Sequence, residues 1–539
     1  MLHLHSALTW VAQRWGAVAC AIFFFLLGLV FISRTGIEDD EAIFAVPLFL
    51  DWCFYGLPLG PHLRLPLMHM SYLGALKTWL YTPLFAFLAP TPEAIRVPAV
   101  LLGAATIVLF WLLLERVHSR AAAFAGSVLL ATDTIFLLTT TYDWGPVALQ
   151  HLLTVAAMLF AVRWYQSGRQ GFLAAAAYCC GLAFWDKAIF GWMFAGMCAG
   201  SLIFARGIRR RMTFRGAALA IAALLGGALP VIVYNLAATP RFATIRSNAR
   251  FTPGFFAAGW RALRATWNGS GLLGIAHYAA PHAGTPQGVV EQASFYLHAA
   301  TGEWRTNFIE AALVVGLLVL LLRWRSTARE AMLFALVAGA IGLIAMLLSG
   351  GGLSVHHTIL LWPLPVFFLA NAFGEVPRRV GLVVLCFLGL SNLLVTNQYL
   401  YQFVRYGSSD VWTDAIYPLA AALSKTHASQ AVITDWGIAD QLCVLNRNDP
   451  PARPIAFRFM PPGDPPAQRE ADLRILADEK AIWVEHMPGH EVFKGANDHV
   501  LNAAREAGFS PVMLDTFYDR NGRAIFQTLR FVSSAQQPH

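Results

Sequence analysis

Four carboxylates stand in a row at Glu38, Asp39, Asp40 and Glu41, in a chain with only 31 aspartates and glutamates among 539 residues. A carboxylate can take the proton from a hydroxyl and so turn a poor nucleophile into a good one. Held partly out of water it becomes a better base, because burial raises its pKa. The run directly follows an apolar stretch, 16–33, dense enough to enter a bilayer. Charge is costly in hydrocarbon, so acids at the membrane edge mark either a solvated turn or a site. A second acid, Asp143, lies in Thr141-Tyr142-Asp143-Trp144-Gly145-Pro146, at another span end. With Pro146 behind it, Asp143 reads equally as a helix N-cap and as a site residue, and the two roles are compatible.

Cations stand at other span ends. Lys187, in Trp185-Asp186-Lys187, is placed either to pair locally or to meet an anionic phosphate. His356 and His357 follow a glycine-rich turn and read as phosphate contacts or as plain interfacial residues. Loop 236–306 carries Arg241, Arg246, Arg250, Arg261, Arg264 and Arg305 against only Glu291 and Glu303. That excess suits an anionic lipid-linked ligand, with general attraction to a membrane surface as the simpler reading.

The elements that must position these groups are membrane helices. Hydrophobic residues make up 57% of the chain and charged residues 13%, against about 25% charged in soluble domains. The net charge of +8 is spread through short loops, which is how membrane topology is set and not how nucleic acid is bound. Hydropathy predicts eleven spans, near 16–33, 97–114, 122–141, 145–162, 171–185, 189–205, 216–235, 307–322, 331–348, 358–373 and 380–397. The segment 72–89, with Lys77 and Pro83, suits the interface better than a crossing. With an inside N-terminus and a retained signal anchor, all five arginine-bearing short loops then lie inside, as the positive-inside rule requires. The acidic run, Asp143, Lys187, loop 236–306 and the tail share the outer face. In loop 34–95, two amphipathic pieces on the membrane surface would floor the acidic run.

The chain divides into a membrane domain, 1–398, and a soluble outer α/β domain, 399–539. Strands are expected at 431–434, 454–457 and 481–485, then a hairpin around Asp519-Arg520-Asn521-Gly522, with a helix at 494–507. No phosphate loop or nucleophile elbow assigns chemistry to that domain. Cys53 and Cys443 are the two cysteines in polar segments, and a disulfide is one reading of them.

In the order of its motifs, the first half resembles the GT-C superfamily of membrane glycosyltransferases. The likeness is strongest to the branch of protein O-mannosyltransferases and lipid A aminoarabinose transferases. It rests on Asp40-Glu41 after the first span, an interfacial segment, Glu93-Ala94-Ile95-Arg96-Val97-Pro98-Ala99 opening the second span, Asp143, and Lys187 after Gly181-Leu182-Ala183. The resemblance implies Asp40 as catalytic carboxylate, with Asp39 its rival by adjacency, Asp143 as second acid and Glu41 as support. It implies Lys187 as a donor-phosphate contact, and a polyprenyl-phosphate sugar as donor. No nucleotide motif is visible, which suits a donor already loaded on lipid. The acceptor would be an envelope glycan, lipid or protein, met at the outer face of a bacterial inner membrane. Where relatives carry an acid-Lys-Pro or His-Pro-Pro run this chain has Leu67-Met68-His69-Met70. No cofactor is assigned, a divalent metal is compatible, and no metal ligand is named. The other classes considered are a transporter, which would place charges near the bilayer midplane, and a non-catalytic envelope assembly scaffold.

Overall fold

The computed structural model describes residues 14–50, 54–60, 63–248, 255–349 and 354–534. From the N-terminal side, helix α1 (Trp15–Phe31) leads to the acidic turn α2 (Asp39–Ala42). A three-stranded antiparallel sheet follows, β1 (Tyr55–Gly60), β2 (Leu63–Met70) and β3 (Leu73–Gly74), then the short helix α3 (Leu76–Phe85). The expected surface piece at 63–70 is therefore a strand. Its leucines at 63, 65 and 67 alternate with period two, which a pleated ribbon satisfies and a helix does not.

The membrane helices continue as α4 (Pro92–Val117), α5 (Arg120–Thr132), α6 (Thr134–Thr141), α7 (Val147–Ser167), α8 (Gln170–Asp186), α9 (Ala188–Arg211), α10 (Phe214–Gly227) and α11 (Leu229–Ala237). The outer loop carries α12 (Ala243–Asn248), α13 (Phe255–Trp267) and α14 (Gly288–Thr301). After it come α15 (Ile309–Leu322), α16 (Arg329–Ser349), α17 (Val355–Leu361), α18 (Pro363–Gly374) and α19 (Arg378–Tyr406). Five of these helices are long and apolar enough to cross a bilayer, or up to eight spans if each bent pair counts as one. The pairs α5–α6, α10–α11 and α17–α18 bend by 58°, 64° and 41°. Each bend has a chemical cause. Asp133 breaks the first pair and caps α6, its Oδ1 accepting the Phe136 N–H at 2.7 Å. Proline at the start of α11 and of α18 ends the preceding helix in the other two. Every expected span falls on one of these helices or pairs, and 72–89 holds only the ten residues of α3. The molecule is a multi-pass membrane protein.

The tail folds as α20 (Ile416–Leu423), β4 (Ala431–Ile433), α21 (Ala439–Leu445), β5 (Ala452–Pro454), α22 (Pro466–Leu476), β6 (Ile482–His486), α23 (Ala496–Glu506), β7 (Phe509–Tyr518) and β8 (Ala524–Ser533). The sheet order is β5-β4-β6-β8-β7. Strand β4 runs parallel to β5 and β6, and β8 runs antiparallel to β6 and β7. The strand expected at 454–457 lies earlier, because Ala456 takes a left-handed φ of 38° and the extended chain cannot continue through it. Strands β4 and β6 are buried along their whole length, as parallel strands covered on both faces should be. On one face lie Ile475 and Leu476 of α22 with Val500 and Ala504 of α23.

The other face is closed by the membrane domain. Ile433, Val484 and Phe526 of the sheet and Ile438 and Leu442 around α21 share one core with Ile37, Ala42, Phe44, Val46, Tyr81 and Ile95. The joint is tight enough to demand glycine. A Cβ on Gly36 would stand 1.9 Å from the Thr413 carbonyl, and its N–H donates to Trp412 at 2.7 Å. The first outer loop and the tail are thus one packed unit, with the acidic turn inside it. Cys443 is buried in this core; Cys53, its expected partner, lies outside the described residues, as do the glycines at 350–352 and Arg250.

Candidate active site

The four acids of the run are separated by what holds each one. Glu38 is the N-cap of α2: its carboxylate accepts the Asp40 N–H at 2.8 Å, and Glu41 reaches back to the Glu38 N–H at 3.3 Å. This reciprocal capping box is what makes four like charges fold as a turn at all. Glu41 is fully buried and clamped by Arg96, Nε to Oε1 at 2.6 Å and Nη2 to Oε2 at 2.8 Å. The same guanidinium donates to the carbonyls of Gly36 at 2.7 Å and Thr35 at 3.1 Å, and to that of Ile32. A bidentate buried pair with saturated donors is a structural clamp. Glu41 therefore supports the fold, and Arg96, an arginine inside an otherwise apolar span, is the signal that sequence reasoning quoted without using.

Asp39 and Asp40 are half-buried and carry no ion pair among the described residues. Asp39 turns toward Asp440 at the start of α21, and burial with the nearby Asp440 and Asp40 raises its carboxyl well above the ordinary range. Asp440 itself is pushed up to about 7 by burial and by Asp40. Asp40 faces the other way. Burial raises its carboxyl, while Lys187 and a hydrogen bond from Trp144 pull it back. Asp40 is thus a half-buried carboxylate with a cation opposite, and Asp39 meets the soluble domain.

Asp143 is the helix cap expected of it, and its second oxygen is paired. At a φ of 41° the chain turns so that its Oδ1 accepts the Ala148 N–H at 3.1 Å, capping α7, while Oδ2 pairs with Lys77 of α3. Lys77 lies 4.4 Å from the centre of the Phe44 ring and 5.1 Å from that of Tyr81. Burial pulls its ammonium down, but Asp143, Tyr81 and Glu41 outweigh burial and hold it above the usual lysine range. In sequence Lys77 looks like an interfacial residue; in the fold it is buried and locks the short helix under the site.

Lys187 is buried, and among the described residues no carboxylate lies within ion-pair distance of it. Burial lowers its pKa to about 8 against the pull of Asp40, Asp186 and Asp143. Its chain segment is pinned to the first loop: Lys187 bridges Leu73, and Ala188 N–H donates to the Tyr72 carbonyl at 2.8 Å. Gly145, at a φ of 68°, leaves room for the ammonium; a Cβ there would lie 2.8 Å from Nζ. His356 and His357 face the same ammonium. The His356 ring packs 4.3 Å from Trp144, and Ser354 Oγ lies 3.1 Å from His356 Nδ1 and 3.3 Å from His357 Nδ1. The His357 Nε2 is buried with no hydrogen-bond partner among the described residues. Tyr72 and Trp144 complete the wall; burial and the nearby Asp40 raise the Tyr72 hydroxyl to about 12.

Arg246 is not brought here. Its side chain is exposed on α12, whose Thr244 hydroxyl donates to the Ser71 carbonyl. Arg264 and Arg305 pair with Glu310 and Glu303 on the surface. For a metal the residues do not fit. Among the described residues no three His, Cys, Asp or Glu side chains are arranged to hold one. Glu41 is taken by Arg96, and His69 shares a 2.8 Å hydrogen bond with Thr78 Oγ1. Burial and Lys77 lower the His69 pKa to about 3.

Comparison with known proteins bears on the fold. ArnT from Cupriavidus metallidurans, bound to undecaprenyl phosphate, is similar in structure over 96% of this chain and 98% of its own, with a TM-score of 0.55 at 12% identity. This is a polytopic membrane protein of the GT-C glycosyltransferase fold. The oligosaccharyltransferase of Archaeoglobus fulgidus, in complex with Zn and sulfate, matches 87% of this chain and 68% of its own, with a TM-score of 0.51 at 13% identity. The archaeal AglB from the same organism, with an inhibitory peptide and a dolichol-phosphate, matches 98% and 75%, with a TM-score of 0.50 at 14% identity. Residues 71–234 match a family model described as dolichyl-phosphate-mannose-protein mannosyltransferase. No curated protein matches the chain in sequence.

Proposed function

We propose that this GT-C protein moves a sugar from a polyprenyl-phosphate donor to an acceptor hydroxyl, at the outer face of a bacterial cytoplasmic membrane. The observation that carries the reading is one juxtaposition. Asp40, a half-buried carboxylate, faces Lys187, a buried cation, across a wall that includes His356 and His357, and among the described residues neither has an ion pair. In the reaction the acceptor oxygen attacks the anomeric carbon from the Asp40 side. Asp40 takes the hydroxyl proton as the new C–O bond forms. The bond from the anomeric carbon to the phosphate oxygen breaks, and its electron pair leaves on the lipid phosphate. Lys187, with the two histidines as hydrogen-bond partners, meets the charge that develops there. Attack opposite the leaving group inverts the sugar. Asp143 and Lys77 hold the floor, and Glu41 with Arg96 fixes the turn that aims Asp40. The neighbours seen with undecaprenyl phosphate and with dolichol-phosphate support the choice of donor. The soluble unit, packed against Asp39 through α21, is suited to present the acceptor, an envelope glycan, lipid or protein.

The experiment is a comparison of envelope glycans and lipids by mass spectrometry, with and without the gene product and with Asp40→Asn in its place. Loss of one glycosyl unit in both the null and the Asp40→Asn strain supports the reading. An unchanged envelope profile in the null strain overturns it.

A further inference from the structure

Gln150 and His151 stand side by side in Val147-Ala148-Leu149-Gln150-His151-Leu152-Leu153, the apolar start of α7. Both are buried, and the mechanism above uses neither. Each sends a hydrogen bond to the backbone of a different neighbour. Gln150 Nε2–H donates to the Ala183 carbonyl, in the last turn of α8, at 2.6 Å. That carbonyl already takes the Lys187 N–H at 3.1 Å, so Gln150 is a second donor from another helix. His151 Nε2 lies 2.9 Å from the Ile359 carbonyl of α17. A continuing α-helix would give that carbonyl the N–H of residue 363, but residue 363 is proline and has none. Because a carbonyl can only accept, His151 carries its proton on Nε2.

The two acceptors stand at telling places. Ala183 lies one turn before Lys187, and Ile359 follows His356 and His357 within one turn. The chain entering α7 stands against both cation sites. A Cβ on Gly145 would lie 2.8 Å from Lys187 Nζ, and the Trp144 ring packs 4.3 Å from that of His356. The same helix therefore touches the lysine and the histidine at its mouth and ties down the backbone of each one turn deeper. Leucine would fill either buried place with no polar group to satisfy, whereas polar side chains inside a span are costly and mark function.

We infer that Gln150 and His151 are positioning residues for the donor, setting the gap between Lys187 and the histidine pair so that one lipid phosphate reaches both. The inference rests on the donor reading, and its test separates the two. Undecaprenyl phosphate is titrated into the purified full-length protein in detergent at pH 7. Gln150→Leu and His151→Leu are each expected to weaken binding about three- to tenfold, the range of a hydrogen bond between membrane helices. His151→Gln, whose amide nitrogen reaches as far as Nε2, stays within about twofold of the wild type. The pattern across backgrounds is what loss of packing alone does not produce. His151→Leu adds little when His356→Ala and His357→Ala are already present, and keeps its full effect beside Lys187→Ala. Gln150→Leu behaves the other way round. Equal added losses in both backgrounds, or a loss in His151→Gln as large as in His151→Leu, overturn the positioning role. If His151→Leu does not fold, His151→Asn replaces it, its amide one carbon too short for the Ile359 carbonyl, and wild-type affinity there overturns the role equally. Absence of undecaprenyl phosphate binding by the wild type overturns the donor reading itself.

Discussion

The two long outer loops are alike in sequence terms and opposite in the fold. Loop 34–95 concentrates acids, and loop 236–306 concentrates arginines. In the first, Glu41, Lys77 and the arginine just past its end, Arg96, are buried, each with a partner reaching in from another segment. In the second, the arginines stay outside: Arg246 is exposed, and Arg264 and Arg305 pair on the surface, where ion pairs contribute about 0–1 kcal/mol; its buried charge is an acid, Glu291, which pairs with Arg34 of the first loop. The difference teaches that charge count locates nothing by itself. A site is marked by charges the fold has taken out of water at a cost and left facing each other.

The sharpest way to break that comparison is Asp40→Asn. It should lower turnover about 10²–10⁴-fold while donor binding survives, because general-base catalysis contributes that much. Asp39→Asn should lose far less, since Asp39 faces the soluble domain. Equal losses in single-turnover assays with a polyprenyl-phosphate sugar would remove the distinction drawn between them. Next in size is Glu41→Ala, which strands the Arg96 guanidinium in the core. Breaking a buried pair costs about 3–5 kcal/mol, read as a lower unfolding midpoint in detergent and a poor folded yield. The pH profile sharpens the comparison further. Turnover should rise as pH passes the elevated Asp40 pKa and fall again near about 8 as Lys187 deprotonates, with about tenfold per unit on each limb. A profile flat between pH 7 and 9 would take Lys187 out of the reaction. Smallest is Arg246→Ala, expected to change donor KM less than about twofold, in keeping with an exposed charge. A tenfold rise would return the second loop to the site.

Much of this was legible from residue types. The spans fall on helices because apolar runs bounded by arginines have few other solutions. Asp40, Asp143, Lys187 and the histidine pair converge as expected, since each stands at a span end that the topology places on one face. What the sequence hid are the cross-loop partners. Nothing near Lys77 in the chain announces Asp143, 66 positions on. Nothing in Arg96 announces that it closes the turn before Glu41 as well as the carboxylate itself. The small sheet at 55–74 was obscured by Pro58 and Pro66, which sit in paired strands that bulge around them. The largest gap was the boundary at residue 399. Composition changes there, but packing does not respect it, because the core that holds the acidic turn is completed by the tail.

That shared core gives the molecule a time order as well as a shape. The acidic turn leaves the ribosome long before Val484 and Phe526, which close the core around it. At about 5–20 residues per second, tens of seconds separate the two. Until the tail arrives, the turn carrying Asp40 has one side of its packing and no Asp440 beside Asp39. A chain that lacks its tail can therefore sit in the membrane with most of its helices placed and its acidic turn still half packed.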